Sequence, residues 1–177
     1  MGFFWSQPAY PPDSPLRTSL LDEEPELIFQ SGDLLLVASN EMQIVLLEEP
    51  WSHVAVVVKK ENKVYAFSNG VYEPIHQYLY RHGRVACRPL QCARDMGFDN
   101  RVRDAADRAA EMLLMRTDID ISFREGHCVG LVLAILGLVD LVGLAKGPVT
   151  PMHFCGGTPF PRLKLFEYSA EHWIIGL

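Results

Sequence analysis

Two residues in this chain have the makings of a nucleophile and its base. Cys128 stands in Gly126-His127-Cys128-Val129-Gly130, where a polar stretch gives way to the long apolar run 129–139. His53 opens a second apolar run, 54–58. A thiol with an ordinary pKa of ~8.5 is a poor nucleophile at neutral pH, whereas its anion is a good one. The first turn of a helix favours that anion through unpaired N–H groups and the helix dipole, and the same groups offer an oxyanion site. A cysteine opening a buried helix and a histidine opening a buried strand could therefore form a thiolate–imidazolium pair, with the imidazole later protonating the leaving group. The competing reading is an ordinary buried cysteine and a polar strand cap.

A third polar group is needed to orient the ring. The strand returning from the hairpin after His53 ends at Ser68-Asn69, so either residue can reach the distal imidazole nitrogen. Glu73 is the nearest downstream carboxylate. Trp51 either walls the cleft or simply packs. His127 adjoins the nucleophile, but helical neighbours diverge by roughly 100°, so it lines the pocket or donates to an oxyanion rather than pairing with the thiol. His76 and His82 fall in a polar segment read as exposed. His153 and Cys155 match no familiar zinc spacing, and neither a metal nor a cofactor is called for.

These residues must be held by surrounding elements. The run 54–58 is β-branched and continuous, which reads as a central strand. Residues 59–63 form its turn, 64–67 return, and Asn69-Gly70 is a strong turn signal. Residues 34–38 and 85–88 read as further strands, 42–47 as a strand or short helix, 73–80 as a short helix, and 163–168 as a last strand or ordered tail. Asp99 or Asn100 can cap a helix running to about Arg116, with Val102, Ala105, Ala106, Ala109, Met112 and Leu113 on one face. Residues 117–126 read as loop and 127–139 as a buried helix, apolar nearly all round.

The 177 residues and 49% apolar content suit one domain, with the formal charge at −6. No basic run follows a phosphate backbone, so nucleic acid is not an expected partner. The four cysteines, at 87, 92, 128 and 155, form no C-x-x-C pair and point to a reduced, cytoplasmic setting. Cys87, on an apolar strand, reads as core. Residues 1–26 carry five prolines and form an arm, with residues 27–177 as the domain. Met1-Gly2-Phe3-Phe4-Trp5-Ser6 fits the formal N-acylation pattern, although its bulky aromatics suit it poorly. An aromatic cluster touching a protein or a lipid surface is the other reading, and it makes peripheral membrane association an expectation. The run 129–142 is too short to span a bilayer.

Three segments in order carry a family likeness: Gly32-Asp33-Leu34-Leu35, then Ser52-His53-Val54-Ala55-Val56-Val57, then Val64 through Val71. With Cys128-Val129-Gly130-Leu131-Val132 and Thr150-Pro151, they resemble the circularly permuted NlpC/P60 papain-like superfamily. That group includes YiiX-type proteins, poxviral relatives and, more distantly, lecithin:retinol acyltransferase-like enzymes. The resemblance implies an α+β fold in which an antiparallel sheet or small barrel packs on the helix bearing the cysteine. It implies hydrolysis or acyl transfer at a peptide or lipid amide or ester, with Cys128 as nucleophile and His53 as base. Relatives often carry a polar or acidic residue on the strand after the histidine, and this chain has no carboxylate there. They often carry an aromatic before the cysteine, and this chain has His127. These departures leave open a weak or inactive member that serves as a binding or structural protein.

Overall fold

A computed structural model of the chain describes residues 24–40, 50–92, 94–115, 127–143, 147–156 and 163–174, apart from the side chains of 26, 127, 172 and 173. The expected element at 42–47, the loop 117–126 and most of the arm 1–26 lie outside the described residues. The last residues of the arm, 25 and 26, belong to a short helix. Pro25–Ile28 forms one helical turn, α1, with Pro25 buried at its start.

The architecture is α+β. Six strands form one antiparallel sheet: β1 Leu34–Ala38, β2 Trp51–Lys60, β3 Lys63–Ser68, β4 Val71–Pro74, β5 Val85–Arg88 and β6 His172–Ile174. Their order across the sheet is β4-β3-β2-β1-β5-β6. β1 and β2 lie inside and are covered on both faces, which is why they read as unbroken apolar runs rather than alternating ones. The β2–β3 connection is a two-residue turn in which Glu61 and Asn62 both have positive φ, 52° and 61°. This mirror-image turn matches the strand twist. Asn69 and Gly70, at 52° and 80°, repeat the device between β3 and β4.

Strand alternation divides the core into two layers. Val54, Val56 and Val58 join Leu34 and Leu36 under helices α3, Phe98–Met115, and α4, His127–Leu138. Ala55 and Val57 join Leu35, Val37 and Cys87 under helix α2, Ile75–His82. α3 buries Val102, Ala105, Ala106 and Ala109, and these small residues let it lie close to the sheet.

Two expectations at the sheet edges are corrected. A helix expected over 73–80 begins only at Ile75, because the Asn-Gly turn sends Val71–Pro74 back along β3 as an edge strand. Pro74 is tolerated there because an edge position needs no N–H. Of the two readings of 163–168, a last strand or an ordered tail, the strand does not form there, and the last strand is β6. The earlier segment makes only the isolated bridges Val142↔Leu165 and Leu90↔Tyr168.

An anchor at one end of β1 fixes the chain's entry into the sheet. Asp33 is 2% exposed and accepts the backbone N–H groups of Gln30 and Leu90, each at 2.9 Å, and Arg94 Nη2 at 3.0 Å. Burial nonetheless pushes its carboxyl above the usual range. Tyr168 closes the same region by donating its hydroxyl to the Gly32 carbonyl at 2.7 Å.

Candidate functional site

β2 is twice engaged over most of its length and once engaged at its start. Val57 exchanges hydrogen bonds with the segment entering β1, accepting from Gly32 at 2.9 Å and donating to Asp33 at 2.8 Å. Along an antiparallel strand the bonding direction alternates. His53, Ala55 and Val57 therefore turn their backbone groups to β1, while Val54, Val56 and Val58 turn theirs to β3. β3 stops at Ser68, and its pairing with β2 runs only from Lys63↔Lys60 to Phe67↔Val56. The N–H of Val54 faces the place where β3 has ended. The sulfur of Cys128, in the first turn of α4, occupies that place and takes the Val54 N–H. Cysteine and histidine thus meet the sheet at consecutive backbone positions of β2.

Their side chains belong to different layers. Cys128 is 3% exposed and packs with Val54, Trp51 and Leu131 on the α3/α4 face. His53 is half-buried on the α2 face, beside Tyr78 and His82. No hydrogen bond joins the two among the described residues, and Tyr78 is the residue that senses both. Its ring centroid lies 6.4 Å from that of His53. Burial raises the pKa of its phenol, and the charge of a Cys128 thiolate raises it further. The Tyr78 hydroxyl is buried without a hydrogen-bond partner.

The protonation states differ from the expected ion pair. Burial raises the Cys128 pKa, and the N–H groups of Val54, Val129 and Cys128 itself offset this only in part. Burial likewise lowers His53 to about 4, with help from His82 and Arg81 and against the opposing pull of Glu73. Both groups therefore rest neutral, the thiol in one layer and the imidazole in the other. The helix-terminal location favours the thiolate, but the loss of water around the sulfur outweighs it.

The remaining expected residues fall as follows. Asn69 lines the same cavity as His53, whereas Ser68 is buried at the end of β3. Neither hydrogen-bonds the His53 ring among the described residues. The ring's neighbours are His82, stacked at 5.7 Å, and Tyr78. Trp51 is 5% exposed and lies in the layer of Cys128, not against His53. His127 opens α4, but its side chain is outside the described residues. Glu73 is held by Arg81, whose Nε donates to it at 3.0 Å. His153 is buried and committed to a cap, accepting the Thr150 N–H on Nδ1 at 3.0 Å. No cluster of three or more metal-ligating side chains occurs among the described residues.

The expectation that His82 is exposed is corrected. It is half-buried, 4.5 Å from Tyr78 by ring centroids, with Nε2 buried and unpartnered. Ile75, Tyr78, Leu79 and His82 follow the i, i+3, i+4, i+7 pattern of a helix's inner face. That spacing is the signal in the sequence. Starting the helix two residues too early obscures it.

On the α2 face these groups surround a cavity of about 440 Å³, within the size of small-molecule sites. Its polar lining is Asn40, Ser52, His53, Asn69, Arg81 and His82. None of the four cysteines is in a disulfide, and Cys87 is core as expected. No helix of the described residues is long and apolar enough to cross a membrane.

No protein-family model matches this chain, and no curated protein matches it. Among solved structures it is similar to the crystal structure of metalloprotein yiiX from Escherichia coli O157:H7, at 20% sequence identity and a TM-score of 0.45. The match covers 60% of this chain and 64% of that one, so just under two-thirds of the yiiX chain is spanned.

Proposed function

We propose that this protein is a cysteine-dependent hydrolase or acyltransferase acting on an amide or ester, with Cys128 as nucleophile and His53 as base. One observation carries the reading. The Cys128 sulfur rests on the backbone N–H of the residue that follows His53, and that histidine lines a polar cavity on the other face of the same strand. Because both groups rest neutral, the chemistry runs by general-base catalysis: His53 removes the thiol proton as sulfur attacks the carbonyl carbon. The protonated ring then returns the proton to the leaving nitrogen or oxygen, and water or an acceptor resolves the thioester. The N–H groups of Cys128 and Val129 at the helix start supply donors for the developing oxyanion. The sulfur must leave its apolar layer to react, so substrate binding has to accompany a side-chain rotation at Cys128.

The test is alkylation of the folded protein by a chloroacetamide probe, with each cysteine followed by mass. Cys128 is modified, more slowly in His53→Gln, and the rate climbs without a plateau through about pH 9, as a thiol with a raised pKa requires. Labelling confined to Cys92 and Cys155 overturns the assignment. A plateau below about pH 7 overturns the general-base route by revealing a standing ion pair.

A second reading, a non-catalytic binding module on the same scaffold, is favoured by the 3% exposure of Cys128. It requires Cys128 to resist the probe, as the equally buried Cys87 is expected to.

A further inference from the structure

The cavity beside His53 has a lining at odds with the rest of the molecule. The chain carries a formal charge of −6, yet among the described residues no carboxylate lines this cavity. Its ionisable lining groups are one arginine and two histidines, and the remaining polar ones are Ser52, Asn40 and Asn69. Arg81 is fixed in place, because its Nε and Nη2 both engage Glu73 outside the cavity. That pairing leaves Nη1 without a protein partner among the described residues. His82 lines the cavity next to it, its ring stacked on that of His53 at 5.7 Å. Arg81 and His82 are successive residues at the end of α2.

We propose that this cavity binds an anionic group, a carboxylate or a phosphate, held by Arg81 and His82 beside His53. The inference rests on the proposed acyl chemistry only in making that anion part of the substrate. The anion-binding role itself does not depend on Cys128. A planar guanidinium and an imidazole N–H suit either anion.

The anion also acts on the neighbouring base. The groups facing His53 are His82, Arg81 and Tyr78 from α2 and Glu73 from β4. Burial, aided by His82 and Arg81, keeps His53 neutral. A bound negative charge opposes them and raises the ring's affinity for a proton. The substrate's own acidic group thereby makes His53 a stronger base where it is needed. Binding is accompanied by proton uptake and tightens as pH falls.

The experiment uses the full chain carrying Cys128→Ala, so that anion binding is read apart from any turnover. The imidazole proton signals of His53 and His82 are followed by NMR as sodium phosphate or sodium acetate replaces chloride at constant ionic strength. Saturable shifts of both signals are expected, with the His53 titration midpoint moving up by roughly one pH unit. Tighter phosphate binding assigns a phosphate-bearing substrate, and tighter acetate binding a carboxylate-bearing one. Arg81→Gln weakens the response roughly tenfold or more, and so does the double variant Glu73→Gln, Arg81→Gln, which removes the neighbouring acid as well. No saturable shift with either anion overturns the proposal, as does an undiminished response in both Arg81 variants. Anion binding with an unreactive Cys128 sinks the acyl chemistry and leaves the anion site. A reactive Cys128 without anion binding does the reverse.

Discussion

The depressed basicity of His53 makes the protein's stability depend on pH in a direction and amount that can be worked out. The ring titrates at about 4 in the folded chain, against 6.5 for the unperturbed imidazole of an unfolded one. The unfolded chain therefore binds more protons below 6.5. His53 leaves stability intact above that value and removes it as pH falls toward 4. The full difference is worth roughly 3 kcal/mol. At about pH 5 roughly 2 kcal/mol of it has been lost, and at about pH 7 almost none. The perturbation is His53→Gln, which keeps a polar side chain of similar length but cannot charge. The assay is urea unfolding at about pH 7 and about pH 5, in a buffer free of phosphate and carboxylate. Wild type loses more stability between the two than the variant does, by roughly 2 kcal/mol. His82, whose pKa is lowered by burial and by Arg81, contributes in the same direction in both proteins and cancels from the comparison. An acid loss that is the same in both proteins refutes the claim that burial holds this ring neutral.

Two further substitutions test the scaffold. Gly32 has φ +91°, and a Cβ there meets Leu90 Cδ2 at 2.7 Å, so Gly32→Ala destabilises by roughly 1–3 kcal/mol in urea unfolding. Tyr72 donates its hydroxyl to Asp107 Oδ1 at 2.5 Å, tying β4 to α3, and Tyr72→Phe costs roughly 1 kcal/mol by the same measurement.

The local pattern of the sequence located the central elements because their signals are short-range. A β-branched run at 54–58, two turns with residues suited to positive φ, and a spaced alanine face on α3 each reflect interactions within a few residues. The same pattern singled out Cys128 and His53 from their positions at the mouths of buried elements. Whether sulfur and ring share a layer was a different matter. It depends on where β3 stops relative to β2, a register set between strands and invisible in either alone. That register opens the slot in which Cys128 takes the Val54 N–H while His53 turns to the other face. The charge states likewise belong to the assembled molecule, since desolvation arises only once α2 and α4 close over the sheet. His82, Arg81 and Tyr78 come to the site by the same route, carried there by a helix whose inner face is settled by what it covers.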